Sequence, residues 1–428
     1  MNKSTTLLFS LLALFATRST TTAQNFDQFF DGQTLRLDYQ MAGNSKSQAI
    51  YLDQLVSVPG WHGKRSRLAQ VPVHGSGEIT MRDHKTGQVI YRQCFSTLFQ
   101  EWLSSPEAQA TSKSFETVLL MPMPRDTAIV TIELLNNYHN TMASLTHQVV
   151  PTDILIRKAG HKPATPYRTL QTAHDTTHCI NIAYIAEGYT ASEMPLFRAD
   201  AQSAMEALFA YEPFKSMRHQ FNIVAVEAVS QESGTSEPSK GIWKNTALHS
   251  HFDTFYSNRY LTTLHLKDMH NLLAGIPYEH IIVLVNSDRY GGGGILNSYN
   301  LTSTHHKHFK PVVVHEFGHS FAGLGDEYAY ETEENPIYPS SIEPWEPNLT
   351  TLANFKSKWA DMVTEGTPIP TPENEVKAGT IGAYEGAGYS LKGVYRPSVD
   401  CRMRTNKNPD FCPVCTRAIK QLIDFYTQ

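Results

Sequence analysis

The sequence predicts an α/β (α+β) protein in two parts, an all-β sandwich-like domain followed by a unit in which strands alternate with helices. Two patterns support this. From Asp31 to Ile156 short apolar runs alternate at period two, and from Cys179 onward continuous apolar strands are separated by helical spacing. The length of 428 residues agrees, because one core rarely grows so large.

Within the first part, Thr34-Leu-Arg-Leu-Asp-Tyr39, Glu78-Ile-Thr-Met81 and Ala128-Ile-Val-Thr-Ile-Glu-Leu134 read as strands. Gly, Asn and Pro between them supply the turns of a sandwich. The Pro- and Thr-rich segment Lys162 to Arg168 reads as a linker. The expected division is residues 1–23 leader, 24–160 sandwich-like domain and 161–428 catalytic domain.

In the second part, Cys179 to Ala186 reads as a buried strand, Ser192 to Ala210 as a helix with Ser192 as its N-cap, and Phe221 to Val226 as a strand. A helix near Leu261 to Ala274 then leads to the strand Ile281 to Val285. Gly291 to Gly294 follow Tyr290; with no Lys-Ser/Thr after them they do not form a phosphate loop. They let another chain approach closely, so the strand after them is expected to be a sheet edge able to pair with an extended peptide, a plain flexible loop being the other reading.

Met1-Asn2-Lys3, an apolar run from Leu7 to Ala16 and a polar stretch ending at Ala23 have the form of a cleavable export signal. No later run approaches the ~20 apolar residues of a membrane span, and no cysteine stands near Gln24 to carry a lipid. A secreted or periplasmic product is expected. A net charge of -5 without like-charge runs argues against a nucleic-acid partner. Cys94 and Cys179 stand apart, whereas Cys401, Cys412 and Cys415 cluster. In an oxidising compartment the cluster reads as one disulfide; the Cys412-Pro-Val-Cys415 spacing also fits a structural zinc site, for which a second pair is missing.

The chemistry sits in Phe309 to Ala322, a short helix with Pro311 in its first turn and Gly323 just past its end. His315 and His319 leave one face a turn apart and can share a metal, with Glu316 beside them. Two neutral nitrogen ligands, an open position for water and a carboxylate to take its proton are what metal-assisted hydrolysis needs. Gly323 and Gly325 turn the chain toward Asp326-Glu327, which offers a third ligand; Asp326 is preferred and Glu327 is the adjacent alternative. His305, His306 and His308 read as solvated loop residues, and the sequons Asn300-Leu-Thr302 and Asn348-Leu-Thr350 are assigned no function.

The run from His315 through Asp326-Glu327-Tyr328 resembles the active-site signature of the IgA peptidase family of zinc metallopeptidases, which is metzincin-like. The likeness extends upstream to Ile185-Ala-Glu-Gly-Tyr-Thr190 and Ser233-Gly-Thr-Ser236 and downstream to Tyr395 through Arg404, most of residues 178 to 425. It departs from the general metzincin pattern His-Glu-x-x-His-x-x-Gly-x-x-His, with Ala322 and Gly325 at the positions of the glycine and third histidine. The resemblance implies a metzincin-like catalytic fold, a Zn2+ cofactor, a protein or peptide substrate and Met403 as a methionine turn under the metal. Tyr389 or Tyr395 is a candidate to help hold a developing oxyanion. Two alternatives compete: a zinc amidase or aminopeptidase acting on cell-wall or short peptides, and a secreted glycan- or protein-binding protein whose zinc is structural.

Overall fold

The structure, a computed structural model, describes residues 25–330, 337–408 and 410–428. The expected leader lies outside the described residues. No helix among them is long and apolar enough to cross a membrane.

After the short helix α1 (Phe26–Phe29), the first half is built from β1 (Phe30–Gly43), β2 (Gln48–Val58), β3 (Gly77–Asp83), β4 (Val89–Phe95), the helices α2 (Leu98–Leu103) and α3 (Glu107–Ala110), then β5 (Lys113–Pro124), β6 (Ala128–Leu135), β7 (Thr141–Val149) and β8 (Arg157–Lys158). They form two four-stranded sheets, ordered β5-β1-β2-β8 and β4-β3-β6-β7. In β6 every second residue is buried, Ala128, Val130, Ile132 and Leu134, as expected of a sheet with one face on a core. Leu35, Leu37 and Tyr39 of β1 meet these residues in one apolar cluster.

The second half centres on a six-stranded sheet. Its strands are β9 (Tyr167–Gln171), β10 (Ile180–Glu187), β11 (Phe221–Val226), β12 (His280–Val285), β13 (Gly292–Ile295) and β14 (Tyr299–Ser303), in the order β13-β14-β12-β10-β11-β9. The four central strands are parallel, and β9 and β13 close the edges antiparallel. Parallel strands are usually covered on both sides, and β10 and β12 are buried throughout. Ala183, Ile185, Val283 and Val285 face the core shared with the sandwich. Ile182, Tyr184, Ile282 and Leu284 face a second core built with the helices α4 (Met194–Leu208), α6 (Phe309–Ala322) and α7 (Pro413–Thr427). A hairpin of β15 (Tyr384–Ala387) and β16 (Ser390–Arg396) completes the chain, with α5 (Leu266–Leu272) lying before β12.

Three local expectations are corrected. The helix α4 is entered through a turn at Ala191–Glu193, and Thr190, not Ser192, stands at the N-cap of that turn: the Glu193 carboxylate accepts from its N–H and hydroxyl at 2.9 and 2.8 Å. The helix expected from Leu261 begins at Leu266, because the segment before it pairs as extended chain, His251 with Thr262 and Tyr260 with Gly292. The glycines are not a loop before a strand; Gly292 to Gly294 are themselves the edge strand β13.

Candidate metal centre

Helix α6 carries His315, Glu316 and His319 between two buried faces, and ends at Gly323, whose φ of +59° is the left-handed region that glycine adopts without strain. The reversal brings the following loop back over the helix. Asn348 fixes that loop, its amide accepting from Gly325 N–H at 2.7 Å and donating to Gly325 O at 2.9 Å.

Three ligand atoms converge there. The Nε2 atoms of His315 and His319 lie 3.0 Å apart, and Asp326 Oδ1 lies 3.1 and 3.3 Å from them. His315 Nδ1 is 3.0 Å from Arg402 O and His319 Nδ1 is 2.5 Å from Leu324 O. A carbonyl can only accept, so each Nδ1 carries the hydrogen and each Nε2 turns its lone pair toward the shared point. Ligands about 2.0–2.1 Å from a tetrahedral ion lie about 3.3 Å apart, so the three atoms fit one divalent metal. Burial lowers the His319 pKa, but Asp326 outweighs it and lifts the group to about 9. Burial alone would raise Asp326; the His319 charge and the two imidazole hydrogen bonds hold it well below the usual range.

Asp326 and Glu327 point to opposite sides of the loop. The Glu327 side chain turns away from the histidines toward Cys401, Cys412 and Cys415. The other Asp326 oxygen accepts from the Tyr389 hydroxyl. Tyr395 instead pairs by its backbone with Thr350, outside the cleft.

Glu316 is half-buried against β13: a Cβ on Gly292 would lie 2.5 Å from its Oε1. Burial pushes its carboxyl above the ordinary value, opposed by the two histidines. Beneath the helix, Met403 is fully buried, and a Cβ on Gly318 would lie 2.8 Å from its Sδ. His315, Glu316, His319 and Asp326 open on a cleft of about 810 Å³. Its walls include Gly292 to Ile295 and Tyr389, and from the first half Thr97 and Glu101. Glu101 accepts from the Tyr260 hydroxyl.

The other sequence candidates fall elsewhere. His305 contacts Asp200 at 2.9 Å, and His306 and His308 pack edge-on to Tyr290. Asn300 and Asn348 of the two sequons are fully buried and hydrogen-bonded within the protein. No disulfide joins the cysteines; all five are free and buried.

Three residues had no sequence signal. Asn348, Glu101 and Thr97 reach the site from distant segments, and only the short sequon drew notice to the first of them.

The model of the IgA peptidase M64 family matches residues 169–379 and 373–423, and that of the peptidase M64 N-terminus matches residues 25–146. No curated protein gives a significant match. The family model spans more than half of the chain and includes every residue of the metal centre, so the chain belongs to the IgA peptidase M64 family and is a metallopeptidase.

Proposed function

We propose that this metallopeptidase is a secreted or periplasmic zinc-dependent endopeptidase in which Glu316 is the general base. The observation that carries the reading is the convergence of two imidazole Nε2 atoms and one carboxylate oxygen, with a second carboxylate beside them in an open cleft. Two nitrogens and one oxygen are a donor set that zinc uses in catalytic sites, where a fourth position stays free. His315, His319 and Asp326 would hold the ion, which when bound supplies Lewis acidity and lowers the pKa of water toward ~7.

The chain's own residues supply the rest. Glu316 accepts a proton from the attacking water and returns it to the leaving amine, a role that its raised pKa favours because a carboxyl far below neutrality would be too weak a base. Tyr389, tied to Asp326, keeps the third ligand oriented. An extended substrate would lie in the cleft along the wall that Gly292 to Ile295 form, the outer edge of β13 being bridged by Tyr260 at Gly292. A cleft walled from both halves favours cleavage within a long chain over trimming of its end.

Glu316→Gln tests the assignment: metal content should stay at the wild-type value while turnover on an unfolded protein falls about 10²–10⁴-fold. Full activity in that variant would refute the base. Activity on short peptides with none on long unfolded chains would favour the aminopeptidase or amidase alternative.

A further inference from the structure

A second group of potential ligands lies outside the cleft. Cys401 precedes the segment that runs under α6, Cys412 caps α7, Cys415 sits in its first turn, and Glu327 follows Asp326. All four are buried, and their ligand atoms lie within 4.8 Å of one another. We propose that Glu327, Cys401, Cys412 and Cys415 bind a structural zinc ion that fastens the active-site loop and the Met403 segment to the C-terminal helix.

The distances suit that ion. Sulfurs about 2.3 Å from a tetrahedral zinc lie about 3.8 Å apart. Cys401 Sγ and Cys415 Sγ are 3.8 Å apart, and Glu327 Oε1 is 3.1 Å from Cys415 Sγ. Four protein ligands close the shell, which is the mark of a structural site.

Two of the sulfurs already act as acceptors. Cys401 Sγ accepts from the Cys412 N–H at 3.2 Å, and Cys412 Sγ accepts from the Cys415 N–H at 3.5 Å. Cys412 also stands at the positive end of the α7 dipole.

The carboxylate gives an independent sign. Glu327 is fully buried, and among the described residues no Lys, Arg or His makes an ion pair with it. Asn348 donates to Oε1 at 2.9 Å, but Oε2 has no hydrogen-bond partner. A buried carboxyl left so is costly unless a cation answers it. A disulfide between two of the cysteines would leave that oxygen, and the third thiol, unanswered.

Binding would release the three thiol protons and involves no oxidation. Its mechanical effect follows from the chain: Glu327 N–H donates to Met403 O at 2.9 Å, and Arg402 O receives the Nδ1 hydrogen of His315. Both ligand-bearing segments adjoin the catalytic ion, so this site would position Asp326 and His315 without touching substrate.

The test is the zinc content and zinc-edge X-ray absorption of the full chain purified without reductant. The expected result is two zinc ions per chain, with sulfur neighbours at about 2.3 Å in the wild-type spectrum. Cys415→Ser should lose one ion together with the sulfur signal, while His315→Ala should lose one ion and keep that signal. A wild-type chain with nitrogen and oxygen neighbours only, or a Cys401–Cys415 disulfide found by peptide mapping, overturns the proposal even if Cys415→Ser fails to fold. Those outcomes leave the catalytic assignment standing. That assignment fails separately if His315→Ala keeps both ions.

Discussion

In the core behind the metal helix, buried His280 should cost stability in acid, while its neighbour Glu279, whose carboxyl is raised, contributes with the opposite sign over the same range. Its ring lies in β12 against Phe321, Phe317 and Tyr426, with centroids 5.0, 6.3 and 6.0 Å away, and its Nε2 has no hydrogen-bond partner. Burial lowers its pKa from 6.5 to about 3. The nearest carboxyl, Glu279 at 3.8 Å, offers no counter-charge, because burial pushes it to about 8 despite Lys64 and keeps it neutral in acid. At His280 the folded state therefore binds fewer protons than the unfolded state between pH 3 and 6.5, and this residue's share of stability is lost as pH falls through that window. At pH 5 the unfolded histidine is about 1.5 units below its pKa, so the loss relative to pH 7 is about 2 kcal/mol. The comparison is between wild type and His280→Phe in urea unfolding at pH 7 and pH 5. The wild type should lose about 2 kcal/mol more than the variant, contributions from other groups and from metal cancelling in the difference. Equal losses would refute the reasoning and show that Glu279 ionises in response to cancel the penalty.

Three further perturbations probe the frame around the site. Tyr389→Phe removes the hydroxyl that donates to Asp326, and should weaken metal binding about 10–100-fold in a chelator competition; unchanged affinity would remove Tyr389 from the support of the ligand. Gly294→Ala places a methyl 2.5 Å from Glu316 O and 3.0 Å from His319 Cβ, which the helix cannot move aside, so stability should drop about 1–3 kcal/mol in thermal unfolding and kcat should fall with it. Arg36 and Asp38 form a buried pair at 2.6 Å, and Arg36 Nη1 also donates to Asn271 Oδ1 at 2.8 Å across the two halves. Asp38→Ala should cost about 3–5 kcal/mol in denaturant unfolding, and Arg36→Met with Asp38→Leu much less, since only the single change strands a buried charge.

The parts legible in the sequence are those set by short-range rules. Period-two alternation marked Ala128 to Leu134, continuous apolar runs marked Ile281 to Val285, and the i, i+4 spacing of His315 and His319 placed both rings on one helical face. The glycine stretch was harder, since glycine has poor strand propensity; only the need for β13 to pass within a Cβ of Glu316 and His319 explains why it is a strand. Pairings between distant segments were not legible. Nothing local marks Glu101 as a wall of the cleft, or shows that two adjacent acidic residues, Asp326 and Glu327, serve different groups. That division arises because neighbouring side chains on an extended loop point opposite ways, which only tertiary packing turns into two separate sets of partners.

The face of the six-stranded sheet carrying Ala183, Ile185, Val283 and Val285 shares one core with α5 and with the sandwich that roofs it. A fragment begun at the connection before Tyr167 would uncover the part of that face under the sandwich, lose Thr97 and Glu101 from its groove, and carry an apolar patch that favours self-association. The first half is thus less an accessory than half of the hull.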